Sequence, residues 1–211
     1  LGPLQEVLDP TTDADDLAVV LSHCHVDHCA DLASLFVMRH YAPRRPRRAL
    51  PIIGPSDTTA RIAAIYGMDD PGMLANEFAV QSFEPHEMHV GPFALQVARA
   101  VHPVEAYSVR VTAGGRSITY SGDTGPNAAL ATLAEGTDIA LFEASFVGDG
   151  NPVDLHLSGA DAGRIAEAAG AGLLLVTHLV AWNDDAEVLR EAAGEFTGPI
   201  EQARPGMTIT V

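Results

Sequence analysis

The sequence predicts a layered α/β (α+β) protein. Three observations carry that expectation: short apolar strands alternate with helical stretches in both halves, the middle of the chain alternates with period two, and histidines and aspartates stand just beyond the apolar runs. With 211 residues, 47% of them hydrophobic, the chain can bury a full core and is short for two ordinary domains. Residues 1–211 are therefore expected to form one domain.

Leu17 to Ser22 is a continuously apolar run ending at the first histidine cluster, as a strand buried on both faces would be. Asp31 to Tyr41 reads as a helix, and prolines 43 and 46 mark a loop through the run Arg44, Arg45, Arg47 and Arg48, which reads as solvated. Leu50 to Ile53 resumes a strand, and Ser56 is expected to cap a helix reaching about Tyr66. Glu77 to Phe83, Phe93 to Val101, Ala106 to Thr112 and Ser117 to Tyr120 alternate as strands, the last two joined at Gly114 and Gly115. Pro126 is expected as the first residue of a helix to about Glu135, with a buried strand at Asp138 to Phe142. Ser158 and Asp161 match a capping box for a helix to Ala169. Leu173 to Thr177 reads as a strand, Asp185 to Phe196 as a helix, and Met207 to Val211 as the closing strand.

The formal charge is −16, from 28 acidic against 12 basic residues, which repels polyanions and disfavours large nucleic acids as partners. No stretch approaches the roughly eighteen apolar residues of a membrane span. Leu1 opens without a signal-peptide pattern, so a soluble, cytoplasmic protein is expected. The two cysteines, Cys24 and Cys29, are expected to be reduced thiols and not metal ligands, since a disulfide across the histidines would compete with ligand geometry.

The chemistry concentrates in HCHVDH, residues 23–28. An extended strand end turns His23 and His25 to one side and Cys24 to the other, so two imidazoles converge on one ion, while Asp27 and His28, one turn on, can reach a second. The plainer reading, a polar helix start with exposed histidines, gathers mutually repelling groups behind a buried strand for no gain. His40, His86 and His89 match no ligand pattern and read as structural or surface residues.

HCHVDH resembles the HxHxDH signature of the metallo-β-lactamase superfamily. Three later motifs follow in the expected order: His102 in AVHPVEAYSVR, Asp123 in YSGDTGP and His178 in LLLVTHL. The resemblance implies a four-layer αββα sandwich with a glycine-containing hairpin ahead of Leu1. It also implies two divalent ions, with His23, His25 and His102 on the first, Asp27, His28 and His178 on the second, and Asp123 bridging. Such mixed nitrogen and oxygen ligands suit Zn²⁺, with Mn²⁺ or Fe²⁺ as alternatives, and seven ligands leave room for a hydroxide nucleophile between two ions.

Glu143 in FEASF and His156 in DLHLSG are similar to the phosphodiesterase branch that contains ribonuclease Z, where the histidine faces the scissile phosphate with the glutamate behind it. Asp27, Glu143 and His156 are thus the expected catalytic residues. Only 20 residues lie between His102 and Asp123, too few for the RNA-binding arm of ribonuclease Z, so the likeness is nearest to arm-less bacterial cyclic-nucleotide phosphodiesterases. A small phosphodiester substrate, cyclic nucleotides foremost, is the expectation. The alternatives are an RNA 3′-processing nuclease, another ester hydrolase of the superfamily, and a catalytically idle metal sensor. Relatives suggest a homodimer.

Overall fold

The computed structural model describes residues 1–6, 17–43, 48–152 and 154–211, so Arg44, Arg45 and Arg47 of the arginine run lie outside the described residues. Contacts group the chain into two units, Leu1–Glu84 and Pro85–Val211.

In the first unit a one-turn helix, α1 (Gly2–Gln5), is followed by β1 (Val19–Val20), α2 (Val26–Cys29), α3 (Asp31–His40), β2 (Leu50–Gly54), α4 (Thr58–Tyr66), a 3₁₀ turn (Pro71–Asn76) and β3 (Phe78–Ser82). The strands form a parallel sheet in the order β1-β2-β3, with Val19 opposite Ile52 and Ile52 opposite Val80. Leu21, Leu35, Phe36, Ile52, Ile62 and Phe78 fill its core, and both cysteines are buried among them. The apolar run Leu17 to Ser22 yields only two strand residues. Beyond Val20 a last sheet-like bond, Leu21 N–H to Ile53 O at 2.8 Å, ends the pairing and frees the next residues to leave the sheet edge. Ser56 is not the cap expected. Asp57 holds that position at φ −90°, ψ 3° without a side-chain bond, because Thr58 donates to Pro55 O at 2.8 Å and closes a turn in place of the extended backbone a cap requires.

The second unit comprises β4 (Met88–Val90), β5 (Phe93–Arg99), β6 (Tyr107–Ala113), β7 (Arg116–Tyr120), α5 (Ala128–Leu133), β8 (Ile139–Glu143), α6 (Gly159–Ala169), β9 (Leu173–Thr177), α7 (Asp185–Glu195) and β10 (Ile200–Gln202). One sheet runs β10-β9-β8-β7-β6-β5-β4. Strands β4 to β7 form an antiparallel meander; β7 to β10 are parallel, each crossover carrying one helix, as parallel pairing demands. Gly114 and Gly115, at φ 58° and 78°, make the two-residue hairpin between β6 and β7, a turn whose central positions both need left-handed backbone. Leu130, Phe142, Leu157, Leu174, Val176 and Val188 are fully buried in the core.

Two expectations for this unit are corrected. Pro126 precedes the helix; Asn127 is its cap, the side chain accepting Leu130 N–H at 2.9 Å, a bond proline cannot offer. The closing strand is Ile200–Gln202, which pairs along β9, whereas Met207 to Val211, beyond the breaker Pro205–Gly206, forms no strand. The Ser158–Asp161 capping box is present as expected. Helices α6 and α7 touch through glycine: a Cβ at Gly159 would lie 2.2 Å from Val188 O, and one at Gly163 2.4 Å from Ala192 O.

Candidate metal and catalytic site

In the first unit the chain leaves β1 extended, with His25 at φ −65°, ψ 148°, then enters α2. His23 is fully buried, and its Nε2 lies 3.1 Å from His25 Nδ1, within hydrogen-bond distance. The His28 ring packs on His23 with centroids 4.2 Å apart, and its Nε2 is 3.3 Å from Asp27 Oδ2. His23 thus meets both His25 and His28, and Asp27 meets His28. Cys24 stays in the core with Sγ 3.5 Å from Thr58 Oγ1; its thiol is pushed up by its hydrogen bond with Cys29 and by burial, while the same bond lowers that of Cys29. His40 is structural: it stacks on Phe36 and meets Glu77 at 3.2 Å.

In the second unit Asp123 follows β7, Glu143 ends β8 and His178 follows β9, so three neighbouring parallel strands deliver their chemistry at their carboxyl ends. Asp123, His156 and His178 each offer a ligand atom within 4.8 Å of the others. Mixed imidazole and carboxylate donors at that spacing fit a divalent ion. His178 Nε2 is 3.6 Å from Asp123 Oδ2, and its Nδ1 is 2.6 Å from Ser145 Oγ. Ser145 donates to Glu143 Oε2 (3.1 Å) or His178 O (2.9 Å), so the ring Nδ1–H is the donor to Ser145 and Nε2 keeps its lone pair facing the aspartate. His102 is set likewise: its Nδ1–H donates to Leu155 O at 3.1 Å, leaving Nε2 for a ligand.

Glu143 is the buried anchor. Its Oε1 accepts from Thr124 N–H at 2.7 Å and from His156 Nδ1 at 3.0 Å. Burial pushes its carboxyl above the ordinary range, and the His156 contact opposes that rise. His156 packs against Phe146 and lies 3.9 Å from Asp123 Oδ2. Ser145 matches none of the sequence motifs, although it stands in FEASF two residues after Glu143, whose carboxylate its hydroxyl meets at 3.1 Å just beyond the end of β8.

Residues 2–179 match the model of the β-lactamase superfamily domain. The chain belongs to the metallo-β-lactamase superfamily. An uncharacterized Mycobacterium tuberculosis protein is 41% identical over 207 residues, covering 95% of this chain and 74% of its own. The probable metallo-hydrolase YhfI of Bacillus subtilis is 30% identical over 193 residues (90% and 76% of the two chains), and its crystal structure superposes with a TM-score of 0.80 over 97% of this chain and 80% of that one. Human tRNase Z, short form, shares the fold at a TM-score of 0.65 and 18% identity, over 95% and 78% of the chains. Within this superfamily the two sheets and their helices make the metallo-β-lactamase fold, and the protein is a metal-dependent hydrolase. Among the described residues no helix is long and apolar enough to cross a membrane.

Proposed function

We propose that this hydrolase is a binuclear metal phosphodiesterase acting on small phosphodiesters, 3′,5′-cyclic nucleotides foremost. The observation that carries the reading is the His156–Glu143 pair, an imidazole held at 3.0 Å by a buried carboxylate beside Asp123 and His178. His23, His25 and His102 are assigned to one ion, Asp27, His28 and His178 to the other, and Asp123 to both, following the motif order of the superfamily. Zinc is the favoured metal on the chemistry of those donors. Divalent ions held there would supply a nucleophile at neutral pH and neutralise phosphoryl charge.

The protein's own contribution is proton management. Glu143 Oε1 receives His156 Nδ1–H, which fixes the tautomer, turns Nε2 outward and stabilises the imidazolium. A proton at Nε2 is then available to the departing alkoxide, a demand of phosphodiester cleavage that lactam or thioester hydrolysis makes less strongly. Thr124 N–H bonds the same carboxylate and favours its ionised form against burial. Two reduced, buried thiols are in keeping with a reducing cytoplasm.

The test is metal analysis beside turnover of cyclic AMP, bis(p-nitrophenyl) phosphate and precursor transfer RNA. Two metal equivalents with cyclic AMP hydrolysis are expected. Cleavage of RNA without cyclic AMP would install the processing-nuclease reading instead, and metal without turnover of any ester would install the sensor reading.

A further inference from the structure

Beside His156 the second unit carries a cleft of about 390 Å³, within the ~300–1,000 Å³ typical of small-molecule sites. The loop at Gly148 and Asp149 forms one wall, and Asp161, Arg164 and Glu191 of α6 and α7 form another. Its charges are unequally committed. The Arg164 guanidinium is occupied by Asp161 at 2.9 Å and Glu195 at 3.2 Å, and Asp161 Oδ2 accepts from Ser158 Oγ at 2.7 Å. Glu191 differs: Oε1 accepts Gly148 N–H at 2.7 Å, which fixes the carboxylate, while Oε2 is buried with no hydrogen-bond partner among the described residues. A native fold seldom leaves a buried acceptor unsatisfied, and one held rigidly in a cleft wall is a ready receiver for a ligand's donor.

We infer that this cleft is the specificity subsite for the leaving-group part of the substrate, taking a neutral group that presents N–H or O–H donors to Glu191 Oε2. The inference rests on the phosphodiester reading, in which His156 marks the leaving-group side. The wall sets three carboxylates, Asp149, Asp161 and Glu191, against the single Arg164 guanidinium, so a second phosphate is repelled where a nucleoside is accepted. The subsite thus selects a single nucleoside over a continuing polynucleotide.

Glu191→Gln keeps an oxygen for Gly148 N–H and replaces the free acceptor by a donor. Adenosine, which carries amine and hydroxyl donors and no phosphate, is titrated into the metal-loaded wild type and variant by calorimetry. Saturable binding is expected in the wild type and at least tenfold weaker binding in Glu191→Gln. The ratio of kcat/KM for cyclic AMP over bis(p-nitrophenyl) phosphate should also fall at least tenfold, since the aryl ester has no donors; a purely structural role would lower both and leave the ratio. No adenosine binding to the wild type, equal binding to both proteins, or an unchanged ratio would overturn the subsite. A wild type inactive on every phosphodiester would overturn the phosphodiester reading alone, with the adenosine titration still deciding the subsite.

Discussion

Asp123, 2% exposed and within reach of both His156 and His178, is the residue whose loss should be felt most. Asp123→Ala is expected to lose bound metal, by plasma emission analysis, together with activity. His156→Ala should differ: kcat falls about 10²–10⁴-fold while the metal content stays, because the ring is assigned to proton transfer and not to the ions. Loss of metal in that variant would make His156 a ligand. Glu143→Gln tests the buried carboxylate through pH. A carboxyl raised by burial contributes stability that is present below the ordinary carboxyl pKa and lost as pH rises through the raised one. The metal-free Glu143→Gln protein should therefore gain on the wild type in urea melts as pH rises through that window, then hold a constant difference above it. A difference independent of pH would show Glu143 to be ionised throughout. At this scale much was legible in the sequence. The histidine and aspartate cluster at residues 23–28 stands out because its spacing is local, whereas Glu143 stands out only through the resemblance of FEASF to the phosphodiesterase branch. Ser145 does not, since only the folded chain shows that the residue two beyond Glu143 meets an imidazole 33 residues downstream.

Among elements, the contact of α6 with α7 is the tightest constraint. Gly163→Ala would drive a Cβ to 2.4 Å from Ala192 O, a backbone atom that cannot step aside, so the helices must separate. A loss of about 1–3 kcal/mol is expected in chemical denaturation, the usual cost of overpacking. Ser158→Ala, which removes the capping box of α6, should cost about 1 kcal/mol. Neither change should alter metal stoichiometry. The capping box was readable because Ser158 and Asp161 bond each other within one turn. The early end of β1 and the identity of β10 were not, because strand length depends on what lies alongside. Leu21 still bonds Ile53, but beyond it the chain departs with the histidines, and Ile200 is a strand because β9 offers it an edge. Ser and Asp are about equally good caps, so propensity does not separate Ser56 from Asp57, and a turn closed by Thr58 sets the helix start.

Across the molecule, the −16 charge gives a field that opposes anionic substrates at a distance. Raising salt from about 50 to 200 mM should leave kcat/KM for a cyclic nucleotide level or raise it, whereas proteins that bind nucleic acid lose affinity steeply over that range. A steep fall would point to an extended polyanionic substrate. The layered α/β class was legible from alternating strand and helix patterns and the β-rich middle, and the two-glycine hairpin from Gly114 and Gly115.

His178 alone among the described non-glycine residues has a left-handed backbone, at φ 57°, and Ser145 grips both its ring and its carbonyl. Such a conformation costs on the order of 1–3 kcal/mol in a folded chain. Metal-stripped His178→Gly should therefore outlast His178→Ala in denaturant by about 1 kcal/mol, because glycine occupies that backbone without penalty. The left-handed backbone at residue 178 is thus a strain that the surrounding contacts, Ser145 among them, hold in place.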